Sequence, residues 1–348
     1  MNRREFLLAG GLAGIGSLAA KYVDPQSSFH QGQIMTVLGP IPPEVLGSTL
    51  SHEHVLVDFI GAEAVSRDRY DAEEAYEVIL PYLQKVRELG CQGFVECTPA
   101  YLGRDPLLLK RLADATGLHL LTNTGYYGAA NDRYIPEHAY QETADQLADR
   151  WVKEWQEGIE GTGIRPGFIK IGVDGGPLSE IDRKLAQAAA RTHTRTGLTI
   201  ASHTGNTRAA MDQMEILAEE GVKPEAFIWV HAQSDWELKS RIDAAQKGMW
   251  IEIDNIDTGS VAECVNRVNT LKQRGLLSRL LVSHDAGWYS PGEPKGGSFR
   301  GFDTAYTTFL PALRQARWTE EEIHQLMVVN PFTAFAVRIR KTTSGSLF

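Results

Sequence analysis

T-L-S-H-E-H, residues Thr49 to His54, is a short apolar run that closes on two histidines, His52 and His54. Residues two apart on a strand share a face, so both imidazoles point the same way. Two converging imidazoles are a divalent-metal arrangement, although an isolated H-x-H is more often incidental than functional. The rest of the chain changes those odds. Lys170 ends the run P-G-F-I-K, His203 ends I-A-S-H, His231 ends W-V-H and Asp285 ends L-V-S-H-D. Each stands at the carboxyl end of an apolar run that reads as a strand.

Working outward, the strand candidates are Thr49 to Val57, Gly93 to Cys97, His119 to Asn123, Gly167 to Val173, Leu198 to Ser202, Ala226 to Val230, Trp250 to Ile253 and Leu280 to Val282. Between them lie stretches with apolar residues at helical spacing, among them Ala72 to Glu88, Pro106 to Ala115, Thr143 to Gln156, Ser179 to Thr196 and Thr207 to Glu220. Strands that alternate with helices pair in parallel, because parallel neighbours need a crossover. An open doubly wound sheet has the same local pattern. It would gather its site at one switch point, often behind a G-x-G-x-x-G that is missing after the first strand here. Candidate ligands on strands one, four, five, six and eight fit a closed barrel, whose strand ends all reach one mouth. The expected fold is therefore α/β, a single (β/α)8 TIM barrel with a metal site at the C-terminal ends of its strands.

The chain has 348 residues, 43% hydrophobic and 23% charged, which suits a globular enzyme rather than a disordered or membrane-bundle protein. A formal charge of -9 offers no basic footprint for nucleic acid. M-N-R-R-E-F-L-L leads into an apolar stretch ending Ser17-Leu18-Ala19-Ala20, too short to span a bilayer and similar to a twin-arginine export signal. The expected organisation is a signal peptide over residues 1–20, a linker over 21–33 and a barrel domain over 34–348. The expected location is periplasmic or exported, with no membrane attachment once the signal is removed; the alternative is an uncleaved N-terminus on a cytoplasmic enzyme. Cys91, Cys97 and Cys264 are odd in number and form no C-x-x-C, so no disulfide framework is expected.

Each site candidate also has a plainer reading. His203 and His231 could be hydrogen-bonded core histidines, and Asp285 could cap the next helix. Lys170 is harder to dismiss, since an inward ammonium must be paired, deprotonated or modified. Glu53 and His284 fall on the opposite face from their neighbours and read as packing residues. The glycine- and proline-rich segment Gly287 to Phe302 reads as a loop without regular structure, from which Trp288, Tyr289 and Phe299 could reach substrate.

T-V-L-G-P-I, L-G-S-T-L-S-H-E-H, L-G-R-D-P, G-F-I-K-I, A-S-H-T, S-H-D-A-G and L-M-V-V-N-P together resemble the phosphotriesterase family of the amidohydrolase superfamily, in the family's order and over nearly all of the chain after residue 34. The resemblance implies two divalent metal ions, with zinc the leading candidate and manganese, iron or cobalt as alternatives. His52, His54 and Asp285 would hold the more buried ion and His203 and His231 the more exposed one, with carboxylated Lys170 bridging. A water between the ions would attack the substrate, and Asp285 would accept its proton.

The same resemblance makes Tyr127 a substrate-pocket residue of lactonase type, whereas Asn255 stands where quorum-lactonase members carry arginine. V-H-A-Q departs from the family's usual G-H-x-x-D, with Asp235 four residues beyond His231. The expected activity is hydrolysis of a small-molecule lactone or carboxylic ester, with Tyr127, Asn255, Trp288 and Tyr289 as substrate contacts. Alternatives are a phosphotriester, other phosphoester or amide hydrolase, and an exported, non-catalytic metal-containing binding protein. The resemblance also implies a homodimer, with Tyr70 or Tyr134 as surface aromatics.

Overall fold

In β3, Thr49–Leu56, all eight residues are buried, as expected of a parallel strand covered on both faces. The computed structural model describes residues 32–234 and 237–342. A hairpin precedes β3, formed by β1 (Ile34–Thr36) and β2 (Gly39–Ile41). Then follow β4 (Gly93–Glu96), β5 (His119–Leu121), β6 (Asn123–Thr124), β7 (Phe168–Val173), β8 (Ile200–Thr204), β9 (Phe227–Val230), β10 (Trp250–Ile253), β11 (Leu280–Val282) and β12 (Gly287–Tyr289). The ladder orders are β11-β10-β9-β8-β7-β6 and β12-β3-β4-β5. All of these pairings are parallel, and β5 and β6 are two halves of one strand interrupted at Thr122.

The eight expected strands are thus the eight strands of a (β/α)8 barrel. Its seam between β11 and β3 is closed by the chain that follows β11. Asp285 N–H donates to the His52 carbonyl at 3.1 Å, His54 N–H to the Ala286 carbonyl at 2.9 Å, and β12 then runs parallel to β3. The segment expected to be irregular from Gly287 therefore begins as a strand, because β3 has an open edge above the end of β11.

Helices form where the periodicity placed them. Helix Ala72–Glu88 starts at Asp71, whose carboxylate accepts from the Glu73 and Glu74 amides. Helix Ala144–Glu157 starts with a reciprocal cap between Thr143 and Gln146 and buries Leu147, Trp151 and Trp155. Each such cap contributes about 0.5–2 kcal/mol. Inside the barrel, alternation separates two layers. Phe168 and Ala201, two residues before Lys170 and His203, join Val95, Leu121, Ile228 and Leu281 in one apolar cluster. The next inward positions carry the polar groups, so the site rests on a dry floor at the C-terminal end of the strands.

The three cysteines are buried and free. The export signal and most of the linker lie outside the described residues, as does Asp235. No helix among the described residues is long and apolar enough to cross a membrane.

Candidate metal centre

His52, His54, Lys170, His203, His231 and Asp285 come together at one end of the barrel. His52, His54 and Lys170 lie within β3 and β7 and His203 within β8; His231 and Asp285 follow β9 and β11 in left-handed backbone, at φ 61° and 54°. That conformation turns a non-glycine side chain off the strand's alternation. The ring centroids of His52 and His231 are 5.0 Å apart, and those of His203 and His231 are 4.5 Å apart.

Hydrogen bonds behind the rings decide which nitrogens face inward. Asp254 lies 2.8 Å from His52 Nδ1 with one oxygen and 2.8 Å from His231 Nδ1 with the other. Thr98 donates its hydroxyl proton to the Leu56 carbonyl at 2.9 Å, so its oxygen accepts from His54 Nδ1 at 2.8 Å. All three imidazoles thereby carry the proton on Nδ1 and present the Nε2 lone pair to the centre. His52 Nε2 and His54 Nε2 are 3.2 Å apart, with Asp285 Oδ1 3.1 Å from the second. Lys170 Nζ is 3.4 Å from His52 Nε2.

Burial holds the His52 imidazole neutral, its pKa lowered to about 4, with the Lys170 charge acting in the same direction. His203 is driven well below its usual range, first by burial and then by His231. His231 moves the other way, since the Asp254 charge and hydrogen bond outweigh the burial. Asp285 and Asp254 are both held below the usual carboxylate range; burial opposes this, and their histidine contacts outweigh it. Lone pairs of neutral imidazoles facing one another beside a carboxylate are a poor packing arrangement and a good cation cage. Lys170 supports the same conclusion, being 1% exposed with a histidine nitrogen as its hydrogen-bond partner. A buried ammonium without a counter-anion is costly, and carboxylation would turn it into the missing oxygen ligand. The residues present therefore fit a metal pair.

Asp254 escaped the sequence reading, although it ends W-I-E-I-D as His54 ends L-S-H-E-H. Besides the two rings it accepts from His231 N–H and from Gln233 Nε2 at 2.6 Å. Although His52, His231 and Asp254 are close enough to share an ion, Asp254 contacts the Nδ1 side of both rings, which makes it their orienting group. Glu53 was expected to pack only. Its buried carboxylate accepts from the Ser283 hydroxyl, His284 N–H, His284 Nδ1 and Ala286 N–H, bracketing Asp285 on both sides.

The expected substrate contacts divide. Tyr127 lies 3.0 Å from His203 Nδ1 through its hydroxyl, which burial keeps protonated. Gly172 gives its ring room, since a Cβ there would come within 2.6 Å of it. Trp288 packs edge-on against His54, with centroids 6.2 Å apart. Tyr289 is corrected: it is 2% exposed and donates to Glu74 at 2.7 Å, so it ties β12 to the helix outside the barrel. Asn255 is corrected as well. Its carbonyl accepts from Ser260 and its side-chain oxygen from Cys264 at 3.3 Å, so it serves the start of helix Val261–Gln273. Tyr134, expected on the surface, is 4% exposed.

Phe59 and Tyr134 complete a closed circuit of rings. It runs from His54 to Trp288, Phe59, Tyr134, Tyr127, His203, His231 and back through His52, with centroid spacings of 4.5–6.2 Å. The imidazoles make one arc and the four larger rings the other, which is an apolar wall beside a polar centre. A separate cavity of about 790 Å³ lies beside helix Ala144–Glu157 and includes none of the site histidines. Its Asp58, Arg104 and Glu160 are already engaged in ion pairs, so we place the chemistry at the barrel mouth.

A family model described as Phosphotriesterase family matches residues 32–335. A phosphotriesterase homology protein of Escherichia coli (strain K12) is 29% identical over 293 residues, which cover 83% of this chain and 98% of that protein. The N-acetyltaurine hydrolase of Homo sapiens is 28% identical over 350 residues, covering 87% and 98%. Among solved structures, the organophosphorus hydrolase from Deinococcus radiodurans is similar with a TM-score of 0.78 at 28% identity, covering 88% of this chain and 98% of that one.

Proposed function

The chain belongs to the phosphotriesterase family, and from that premise we propose that it is a two-metal hydrolase acting at the acyl carbon of a lactone or carboxylic ester. The observation that carries this reading is the inward convergence of His52 and His54 Nε2 with Asp285 Oδ1 beside buried Lys170. His52, His54 and Asp285 would hold one divalent ion, His203 and His231 the other, and carboxylated Lys170 both; zinc suits this mixed nitrogen and oxygen set. The ions would supply Lewis-acid polarisation of the acyl oxygen and acidify a water.

The chain's own groups do the rest. Asp285 stays ionised and can take a proton at a carboxylate oxygen. Asp254 and Thr98 keep the imidazoles in one tautomer, and the ring wall excludes water from one side of the centre. An amide is the second reading, favoured because the relatives include proteins named N-acetyltaurine hydrolase.

Proton release by metal-loaded protein, followed by pH-stat over lactones, carboxylic esters, amides and phosphotriesters, tests both readings. We expect release on lactones or esters that is lost in Lys170→Ala together with most of the second metal. Release on amides alone would select the second reading. Silence with two metals bound would favour a non-catalytic binding protein, and full activity in the variant would remove Lys170 from the site.

A further inference from the structure

The loop after β12 returns one cation to the barrel mouth that the hydrolytic chemistry does not use. Arg300 is exposed; its backbone N–H donates to the Gly287 carbonyl at 3.0 Å and its Nη2 to the carbonyl of Asp285. Its Cζ sits 4.7 Å from the centre of the Trp288 ring. Trp288 in turn packs against His54 and against Phe59. The guanidinium therefore lies on the ring wall, next to the backbone of a candidate metal ligand, and forms no ion pair among the described residues.

Two features argue against a merely structural arginine. A guanidinium has five N–H donors, and the contact with Asp285 occupies one. A guanidinium resting over an indole is held near one place, and its remaining N–H groups suit a carboxylate or sulfonate. Among the described residues no carboxylate forms an ion pair with it. Asp58, which precedes Phe59 in the chain, is taken by Arg69 at 2.6 Å, and Asp285 and Asp254 face the imidazoles. Further along the wall Arg133 repeats the pattern: its Cζ is 5.9 Å from the Tyr134 ring centre, its Nη2 donates to the Ile60 carbonyl, and it has no ion pair among the described residues. In a chain of net charge -9, an aromatic wall carrying guanidinium groups on Trp288 and Tyr134 is a local reversal of sign.

We propose that Arg300 binds an anionic oxygen group of the substrate, so that the site takes acyl compounds whose carboxylate or sulfonate lies a short spacer from the scissile carbonyl. This deepens the hydrolase reading and rests on it. The acyl group would lie over the imidazoles and the spacer along Trp288 and Phe59, with the anion at the guanidinium.

The test uses metal-loaded full-length protein and a matched pair of ligands, N-acetyltaurine and the uncharged N-propylacetamide, titrated calorimetrically into wild type, Arg300→Ala and Arg300→Lys. We expect wild type to bind the anionic member at least tenfold more tightly, Arg300→Ala to lose that preference, and Arg300→Lys, which keeps the charge without the fork, to retain part of it. An equal loss on both ligands would assign Arg300 a purely structural role and overturn the proposal. So would a preference that survives Arg300→Ala, since the metal ions alone would then account for it. Absence of binding by either ligand also overturns it, whereas the pH-stat panel of neutral lactones and esters judges the hydrolase reading separately.

Discussion

Asp254 orients two imidazoles with one carboxylate, and that arrangement cannot be reproduced by an amide. In Asp254→Asn one side-chain atom remains an acceptor while the other becomes an NH2 that faces an Nδ1–H. Either His52 or His231 must then change tautomer and turn a proton toward the centre. Groups that orient metal-bound histidines typically govern 10–100-fold in metal affinity or activity. Asp254→Asn is therefore expected to lower affinity for the second equivalent of metal by about that factor, while the fold, read by circular dichroism, is kept. Metal binding as tight as in wild type would show that the ring orientation is set elsewhere.

At the scale of elements, the barrel was legible because each strand carries its own signal: an apolar run, a polar terminal residue and a following amphipathic stretch. The candidate ligands on β3, β7 and β8 obey strict alternation, so reading alternate residues finds them. Alternation fails where the backbone leaves the extended region. Asp285, Gly287 and Trp288 all have positive φ, at 54°, 97° and 75°. The face of each later residue could not then be counted from β11, and Tyr289 was wrongly placed at the mouth. Glu252 on β10 and Asp254 just after it both face His52 Nδ1, at 3.8 and 2.8 Å, so the same count assigns the next residue, Asn255, outward. The sequence reading was drawn instead to a position that matters in similar proteins.

Glu53 shows why the β11-to-β3 seam needs a buried charge. Its carboxylate accepts from donors at Ser283, His284 and Ala286, so Glu53→Gln exchanges an acceptor for a donor among donors. A buried unsatisfied group costs about 1–3 kcal/mol, and we expect a lower denaturant midpoint by that measure together with loss of turnover. An unchanged midpoint would mean that the seam tolerates relaxation around Asp285.

His193 is the element-scale group whose titration should show in stability. It is 0% exposed, contacts the Leu198 carbonyl through Nδ1 and accepts from Arg340 N–H through Nε2. Burial lowers its pKa to about 4, below the ordinary 6.5. Between those values the unfolded chain binds a proton that the folded one refuses, so its stabilising contribution is complete above pH 6.5 and is lost as pH falls toward 4. The difference is on the order of 3 kcal/mol. Urea midpoints at pH 7 and pH 5 should fall more in wild type than in His193→Gln, and equal falls would place the acid sensitivity in other groups.

For the whole molecule, the site exists only when the barrel is closed, because its ligands come from strands spread between residues 52 and 285. The unfolded chain cannot offer that cage, so metal binding there would stabilise the fold. Ions present at a thousand times their dissociation constant would add about 4 kcal/mol, which for a domain of this size raises the melting temperature by roughly 6 °C. Lys170→Ala separates this linkage from general salt effects, since it removes the proposed bridging ligand. Wild-type protein should therefore melt lower after chelation and recover with added zinc, whereas the variant, left with one ion on His52, His54 and Asp285, should lose less on chelation than wild type does. A chelator-insensitive wild-type melt would mean that the imidazole cage is stable without ions, and the case for a metal centre built into the fold would fail.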